Sequence, residues 1–431
     1  MSILAEAGET VIRPEQLRIG VHVRIPLAWT KHAFLTSAFV ISSEAQVREL
    51  QAMGMKLLCD PRKCQVAPAP VVVAPPQPDP VRDAELTALR AAQEVQMAAK
   101  RERQAAMGAM RSRLDKVQKS FQHTAEQTGA AMRQLGARPA ESVQAILGVA
   151  GDSAGALLAD TDSTILLVTD KGTNRGDVAH AISVMTLSLL LAKRLNAPKS
   201  VLRDIGAGAL LHDTGLASLT PALVRLHSRN RFEEAAYQTH CLKGHKELQA
   251  IGAAVPAEVL QIALQHHEHN DGSGYPQRLT GAAIANGAKV VALADRFDEL
   301  TNPPDHASAL SPFEALAQMW ARERSNHNET LLQHFIRAMG IYPPGTLVQL
   351  SDSRLAIVVA AAPEGTRLCP QVLIYDAGTP RSEGIMVDLA ALAPPDAPAP
   401  RIDKALRMQD LGEKELDYLL PRRRMSWFRA S

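Results

Sequence analysis

The sequence predicts a mainly α-helical protein with a small α/β module at its N-terminus and a small β module near its C-terminus. Between residues 141 and 341, apolar residues recur at helical spacing, as in helices that bury one face. Residues 11–60 instead alternate in polarity around one short helical segment. Residues 345–392 also change to a period of two, which is typical of strands. A chain of 431 residues is too long for one ordinary core, so we expect two or three domains.

The N-terminal module is predicted to span residues 1–65 in the order strand, strand, helix, strand. Residues 21–25 alternate in polarity, and Ser43 and Gln46 have the spacing of a capping box at a helix start. A proline-rich stretch follows at residues 66–81. Proline fixes φ and lacks a backbone donor, so this stretch is predicted to be a semi-rigid linker that marks a domain boundary.

Residues 82–137 are predicted to form one long helix, because they are rich in Ala, Gln, Arg and Glu and contain no proline. Near its end, apolar residues follow a 3,4 spacing over residues 107–121. One interpretation is a short coiled-coil seam, and with it a homodimer. The other is an amphipathic helix that lies on the following helical domain. The residues of this face are Met107, Met110, Leu114, Val117 and Phe121.

The helical domain is predicted to span residues 141–341, followed by a β extension at 342–395 and a tail at 396–431. Within the helical domain, Pro256 opens a helix whose apolar residues lead up to His266, so this histidine is expected at the end of a packed helix. The last eleven residues of the tail mix cations with aromatics. They predict a frayed, solvated terminus or, as an alternative, a contact with a membrane surface or a partner.

Composition excludes several classes of protein. The net charge is only +2, which is not the strongly basic balance of a nucleic-acid-binding protein. The longest apolar run is far shorter than the roughly 20 residues that span a bilayer, so no transmembrane segment is predicted. The four cysteines form no disulfide framework and the first residues lack a signal peptide, so we expect a cytoplasmic protein. Cys59 and Cys64 are predicted to be ordinary thiols, because no second Cys or His pair lies nearby.

The most informative segment runs from His266 to Pro276 and places adjacent imidazoles, carboxylates and a glycine-hinged turn within eleven residues. Imidazole nitrogen and carboxylate oxygen are ligands of divalent manganese, iron and zinc. Gly274 permits positive φ and Pro276 removes a donor, so the chain can turn sharply after the histidines. Candidate ligands in other predicted helices are His180, His212, Asp213, His240 and Asp295.

The order of these residues resembles that of the HD-GYP family of metal-dependent cyclic-di-GMP phosphodiesterases. The resemblance rests on the His212-Asp213 pair, the single His240, the run from His266 to Pro276 and the later Asp295. Residues 11–60 are similar to a small domain of unknown function often fused to that family, and residues 340–348 look like its usual C-terminal extension. The resemblance implies an HD-type helical bundle that hydrolyses cyclic-di-GMP to pGpG, and further to GMP, in bacterial second-messenger signalling.

The resemblance also implies a site with two divalent ions, most readily iron or manganese. Asp213 is the expected bridge, since a carboxylate has two oxygens, and Asp213 and His212 are the expected catalytic residues. One ion would be held by His180, His212, Asp213 and Asp295. The other would be held by Asp213, His240, His266 and His267.

Further positions are implied around these ligands. Asp298 lies three residues after Asp295 on the same helix face and is expected to orient a ligand. Some family members hold a third ion through a Glu one turn before the first His. Gly176 and Asp177 occupy that neighbourhood here, which favours two ions. Contacts to the substrate, or to a signalling protein that binds the turn, are expected from Gly274, Tyr275 and Pro276.

Two departures from the family pattern bear on activity. The usual Lys of the HDxGK motif, which reaches the phosphate, is Leu216, and the usual Arg-rich segment after the last Asp is absent at residues 302–305. A hydrogen bond to a charged group contributes roughly 1.5 to 3 kcal/mol. We therefore expect activity to be lowered about ten- to a hundredfold. Candidate replacements for the missing cation are Lys243, Arg278 and Arg296.

Three functions remain open on the sequence alone. The first is a two-metal cyclic-di-GMP phosphodiesterase with weakened phosphate binding. The second is an inactive receptor or adaptor that binds metal and the dinucleotide, and the missing Lys favours it. The third is an HD phosphohydrolase that acts on another nucleotide, and the GYP turn argues against it.

Overall fold

The computed structural model describes residues 8–27, 32–70, 80–169, 176–226, 228–303, 305, 308–363, 366, 368–391 and 400–420, without the side chains of 80–83 and 86. Most of the predicted proline-rich linker and the last eleven residues therefore lie outside the described part of the chain. The chain divides into two compact units, Met1–Gln93 and Glu94–Ser431. The predicted fold class is confirmed, because helices dominate and small antiparallel sheets lie near both ends.

The N-terminal unit contains a four-stranded antiparallel sheet with one helix. Its strand order is β1-β4-β2-β3, so the sequence prediction missed one strand. Ser43 caps the helix by accepting a 3.3 Å hydrogen bond from the backbone N–H of Gln46, as predicted. Its helix buries Leu50, against a sheet that buries Val23 and Leu57. The elements are β1 (Thr10–Ile12), β2 (His22–Arg24), β3 (Ala38–Val40), α1 (Glu44–Ala52) and β4 (Leu57–Cys59).

Two cysteines of the N-terminal unit lie next to each other. Cys59 and Cys64 are free, and their sulfur atoms are 3.3 Å apart. Within the described part of the chain, no third His, Cys or carboxylate completes a group of metal ligands with them.

The predicted long helix is α2 (Pro80–Gln134). Residues in its first half, such as Leu89 and Val95, are exposed, whereas Met110, Leu114 and Val117 are buried. The last three pack inside this chain, in part against Leu166 and Leu347. The coiled-coil interpretation of residues 107–121 is therefore wrong, because the chain's own core already occupies this apolar face.

The helical domain has one continuous core, in which α6 packs against α3, α5 and α10, and α5 also packs against α11. Large apolar side chains fill it, including Met185, Ile262, Phe297 and Phe335. This packing fixes the ends of α6 and α10, where predicted ligands lie. The helices are α3 (Pro139–Leu157), α4 (Thr161–Val168), α5 (Asp177–Arg194), α6 (Lys199–Leu211), α7 (Pro221–Val224), α8 (Arg231–Tyr237), α9 (Thr239–Ala250), α10 (Ala257–Gln265), α11 (Asn286–Thr301), α12 (Pro312–Ala321) and α13 (Glu329–Met339).

The C-terminal module is a five-stranded antiparallel sheet in the order β8-β7-β6-β5-β9. It extends past the predicted boundary at residue 395, because β9 pairs with β5 through partners such as Leu347 and Leu406. The predicted tail at 396–431 is thus corrected: its residues 402–406 complete the sheet, and residues 413–419 form a helix with buried leucines. The elements are β5 (Leu347–Leu350), β6 (Leu355–Ala360), β7 (Gln371–Ile374), β8 (Ile385–Asp388), β9 (Ile402–Leu406) and α14 (Glu413–Leu419).

Among the described residues, no single helix has both the length and the apolar character needed to cross a membrane. The bent pair formed by α3 and α4 passes that test only when the two helices are taken together.

Candidate metal centre

The predicted ligands converge at the ends of packed helices. His180 is the fourth residue of α5, His212 directly follows α6, and His240 is the second residue of α9. His266 and His267 directly follow α10. Two groups of side chains could hold a metal ion within the described residues, and Asp213 belongs to both. The groups are His180, His212 and Asp213, and Asp213, His240, His266 and His267.

The two oxygens of Asp213 face different histidines. Oδ2 lies 3.4 Å from Nε2 of His212 and 4.0 Å from Nε2 of His180. Oδ1 lies 3.4 Å from Nε2 of His240 and 3.7 Å from Nε2 of His266. The carboxylate therefore stands between the two groups, in the position that a bridging ligand requires.

Asp295 on α11 also faces both groups. Its Oδ1 lies 3.1 Å from Nε2 of His180 and 3.8 Å from Nε2 of His212, while its Oδ2 lies 3.8 Å from Nδ1 of His267. Sequence analysis expected Asp295 at one ion only. Its negative charge lies within reach of histidines from both groups.

Hydrogen bonds to the backbone indicate which nitrogen of each histidine is available. Nδ1 of His212 lies 2.7 Å from the carbonyl oxygen of Ala209, and Nδ1 of His240 lies 2.8 Å from that of Tyr237. Nδ1 of His266 lies 3.1 Å from the carbonyl oxygen of Ile262. A carbonyl can only accept, so Nδ1 carries the proton in these rings and Nε2 presents a lone pair to the site.

These lone pairs test whether the residues fit metal ions. Nε2 of His212 and Oδ1 of Asp213 are buried without a hydrogen-bond partner, and Nε2 of His240 lies 3.3 Å from Nε2 of His266. Buried acceptors that face one another are unfavourable unless a cation or donor lies between them. Imidazole and carboxylate suit borderline divalent ions. The residues present therefore fit divalent ions at both groups.

The ionisation states agree with that conclusion. Burial opposes the charge of Asp213, but the neighbouring His212, His266 and His240 hold the pKa of Asp213 well below its usual value. Burial lowers the pKa of His240 to about 4, although Asp213 opposes this shift. Burial and the neighbouring His266 also lower the pKa of His267 well below its usual value. At neutral pH Asp213 is thus ionised and His240 and His267 are neutral, which are the forms that bind metal.

The GYP turn holds His267 by backbone contacts. The Tyr275 N–H donates a 3.1 Å hydrogen bond to the carbonyl of His267, and the two rings pack with centroids 4.8 Å apart. A side chain at Gly274 would overlap the backbone of His267 and His269, so only glycine fits there. The peptide bond between Tyr275 and Pro276 is cis. The turn therefore contacts His267, a predicted ligand, directly and does not merely end the helix.

Glu268 is a supporting residue that sequence analysis missed. Its buried carboxylate accepts hydrogen bonds of 2.6 Å from the N–H of Gln277 and 2.9 Å from the N–H of Leu279. These bonds connect Gln277 and Leu279, which follow the GYP turn, to Glu268, which directly follows His267. The only signal in the sequence was a carboxylate directly after two histidines.

The motif that begins with His212-Asp213 makes a close contact with α9. After Asp213 the chain forms a 3₁₀ turn, Thr214–Ser218, in which a side chain at Gly215 would overlap the backbone of His240 and Gly244. Because glycine has no side chain, Asp213 and His240 can approach each other. Leu216 lies half-buried in the same turn.

The candidate cations that could replace the family's Lys are differently placed. Arg296 is paired with Glu323 at 2.7 Å and Glu299 at 3.0 Å, so its guanidinium is already neutralised. Lys243 donates a 3.0 Å hydrogen bond to the carbonyl of Ser218. Arg278 is exposed. None of these contacts involves a predicted ligand.

Two other side chains near the ligands were not predicted. The ring of Tyr237 lies 5.0 Å from the ring of His240, with the Arg229 guanidinium 3.6 Å from the centre of the Tyr237 ring. Cys241 is fully buried, and its sulfur lies 3.4 Å from Nε2 of His240. Both residues are close to His240 in the sequence, but neither belongs to the pattern of ligands from which the site was predicted.

Comparison with protein families agrees with this geometry. Residues 160–330, which include every predicted ligand, match the HD domain. The chain contains an HD domain. Residues 10–146 match a domain of unknown function, DUF3391. The resemblance stated from the sequence is confirmed, both for the HD domain and for the N-terminal domain that accompanies it.

The chain is also similar to proteins of known name. A cyclic di-GMP phosphodiesterase of Pseudomonas aeruginosa is 30% identical over 47% of this chain and 49% of its own length. A 3'3'-cGAMP-specific phosphodiesterase of Vibrio cholerae is 34% identical over 31% of this chain and 30% of its own length. The match to this chain thus spans about half the length of the first relative and less than a third of the second. A solved HDG"Y"P protein from Bdellovibrio bacteriovorus is 19% identical, with a TM-score of 0.43 over 76% of this chain and 98% of its own.

Proposed function

We propose that the HD domain hydrolyses cyclic-di-GMP to pGpG, and further to GMP, with two divalent ions in bacterial second-messenger signalling. The observation that carries the proposal is the position of Asp213, whose oxygens lie 3.4 Å from His212 on one side and 3.4 Å from His240 on the other. The relatives named as cyclic dinucleotide phosphodiesterases support the substrate class.

The chemistry follows from what the side chains can hold. When bound, a pair of divalent ions supplies hydroxide at neutral pH and neutralises the phosphate oxygens of a phosphodiester. Asp213 would hold the two ions at a fixed separation, which makes it and His212 the proposed catalytic residues. Packed helices on both sides prevent the ligands from moving apart.

The proposed ligand set is the one that the resemblance implied. His180, His212, Asp213 and Asp295 would hold the first ion, and Asp213, His240, His266 and His267 the second. Asp177 is exposed, which supports two ions over three. Iron or manganese remains the proposed metal, since the set combines imidazole with carboxylate.

A catalytically weak receptor is the second candidate. Leu216 offers no charge to a phosphate, and Arg296 is neutralised by two glutamates. Substrate charge would then be balanced mainly by the ions. Such a protein would bind the dinucleotide but turn it over slowly, and it would signal by occupancy.

The third candidate is hydrolysis of another nucleotide by the same centre. The similarity to a 3'3'-cGAMP-specific phosphodiesterase favours another cyclic dinucleotide within this class. Discrimination would then depend on contacts to the two bases and not on the ions, because both substrates carry the same phosphodiester.

Two partners are proposed in addition. A homodimer would use the first half of α2, where Leu89, Val95 and Met97 are exposed, since the face at residues 107–121 is buried in this chain. A signalling protein would contact the GYP turn, whose Ser273, Gln277 and Arg278 are exposed around Gly274, Tyr275 and Pro276.

The deciding experiment compares wild type with Leu216→Lys after anaerobic purification and elemental analysis. We expect slow formation of pGpG by the loaded wild type and faster formation by Leu216→Lys, because the new cation stabilises the phosphate charge. Metal content should stay the same. Leu368→Lys is the matched control, since it adds the same charge at an exposed position of the C-terminal module.

The outcomes separate the three candidates. No pGpG from either loaded form, with cyclic-di-GMP still bound at equilibrium, contradicts the phosphodiesterase and favours the receptor. Turnover of 3'3'-cGAMP alone favours the third candidate. An equal gain of activity in Leu368→Lys would assign the effect to net charge and not to position 216.

A further inference from the structure

A buried thiol lies beside the second group of ligands. Cys241 follows His240 in α9 and is fully buried. Its sulfur lies 3.4 Å from Nε2 of His240 and 4.0 Å from Nε2 of His266. The same two nitrogens are 3.3 Å from each other. The three atoms thus form a compact triangle inside the core.

Neither of the two nitrogens can donate to the other. Nδ1 of His240 points to the carbonyl of Tyr237 at 2.8 Å, and Nδ1 of His266 points to the carbonyl of Ile262 at 3.1 Å. Both Nε2 atoms therefore present lone pairs. Two lone pairs facing each other in a buried site require a cation or a donor between them. The Cys241 sulfur is adjacent to both.

We propose that the sulfur of Cys241 is a ligand of the ion held by His240, His266 and Asp213. The inference rests on the proposed metal centre but not on the hydrolysis of any substrate. On binding, the S–H bond breaks, the proton passes to solvent, and a sulfur electron pair coordinates the ion.

The distances agree with the edges of a tetrahedral site. With zinc–nitrogen bonds of about 2.05 Å and a zinc–sulfur bond of about 2.3 Å, tetrahedral angles give edges of about 3.3 Å between nitrogens and about 3.6 Å between sulfur and nitrogen. The observed edges are 3.3 Å between the nitrogens and 3.4 and 4.0 Å to the sulfur. Oδ1 of Asp213 lies 3.4 Å from Nε2 of His240 and 3.7 Å from Nε2 of His266, so it faces the same two nitrogens.

A sulfur ligand changes which metal the chain selects. Thiolate is soft and favours zinc or ferrous iron, whereas manganese favours oxygen ligands. The second ion is therefore zinc or iron and not manganese. The group of His180, His212 and Asp213 has no sulfur ligand in this proposal, so iron or manganese remains the metal proposed there. The two positions of this HD domain thus differ in their preference for metals.

X-ray absorption at the zinc edge of the zinc-loaded full chain tests the ligand directly. Wild type should show sulfur at about 2.3 Å, with about one sulfur for every two zinc ions. Cobalt-loaded wild type should also show an intense near-ultraviolet thiolate-to-cobalt absorption. Both signals should vanish in Cys241→Ser and persist in Cys369→Ser, which removes a thiol of the C-terminal module.

Wild type decides the question even if Cys241→Ser does not fold. Zinc-loaded wild type with only nitrogen and oxygen neighbours, and cobalt-loaded wild type without the charge-transfer absorption, would overturn the proposal and leave Cys241 as an S–H donor to His240. Sulfur coordination in a protein that forms no pGpG would uphold the ligand while contradicting the proposed function.

Discussion

Asp298 lies 2.7 Å from Nδ1 of His180, and its other oxygen accepts a 2.8 Å hydrogen bond from the amide of Asn302. Asp298 is on α11, three residues after Asp295, so one helix would supply both a ligand and the residue that orients another ligand. Burial opposes a charge on His180, but its contacts with Asp295 and Asp298 raise the pKa of His180 well above its usual value. Without a cation, the ring would thus be protonated.

This relationship predicts the effect of Asp298→Asn. The substitution keeps the shape of the side chain but removes the charge that fixes the His180 ring, so affinity for the first ion should fall about 10- to 100-fold. Competition with a chelator measures this affinity. Asp177→Asn, at an exposed position of the same neighbourhood, is the control and should bind two ions like wild type. Unchanged affinity in Asp298→Asn would show that Asp298 does not orient His180 for metal binding.

Gly215→Ala should weaken binding of the second ion, which Asp213 and His240 are proposed to hold. The added methyl group would overlap the backbone of His240 and Gly244, so α9 must move away from Asp213. Such overpacking costs about 1 to 3 kcal/mol of unfolding free energy. Gly148→Ala is the matched control, because its methyl group meets nothing within 4 Å on helix α3. It should equal or exceed wild type in stability, by up to about 1 kcal/mol.

A histidine outside the metal centre should make the protein sensitive to acid. Burial lowers the pKa of His327 to about 4. Since the unfolded value is about 6.5, the unfolded state binds a proton between pH 6.5 and 4 that the folded state does not. Stability should therefore fall as pH falls across that range, by about 3 kcal/mol in total. Urea unfolding should show that the unfolding free energy of His327→Gln depends less on pH than that of wild type. His123→Gln, at an exposed position, should keep the pH dependence of wild type.

Substitutions on α2 test whether this helix mediates dimerisation. Leu114 is buried inside the chain, so Leu114→Glu should destabilise the fold itself, by several kcal/mol, whatever the oligomeric state. Leu89 is 59% exposed, so Leu89→Glu should leave the stability unchanged and dissociate a dimer. Light scattering at micromolar concentration measures the second effect. A wild type that is already monomeric would contradict the proposed dimer.

Much of the architecture could be predicted because periodic patterns are local. The apolar stripe that ends at His266 predicted α10 and its end, and the alternation after residue 345 predicted β5 and β6. The positions of Asp213 and Asp298 followed from the order of motifs and from helical spacing. In the structure Asp213 contacts His212 and His240, and Asp298 contacts His180, while the roles of both as metal-site residues stay predictions.

The unpredicted features depend on partners distant in the chain. β9 has weak alternation, and its pairing with β5 defines it as a strand. The role of Glu268 depends on two backbone N–H groups beyond the turn. Cys241 is turned about 100° around α9 from its neighbour His240. Only the packing of α10 brings His266 close enough to both residues for the three atoms to meet.

The most direct test of a metal pair bridged by Asp213 is the metal content of Asp213→Ala, measured by elemental analysis after anaerobic purification. Wild type should hold two divalent ions per chain. Asp213→Ala should lose metal at both positions, because the oxygens of this residue face the histidines of both groups. Near wild-type stoichiometry in a folded Asp213→Ala would contradict the claim that Asp213 bridges two ions.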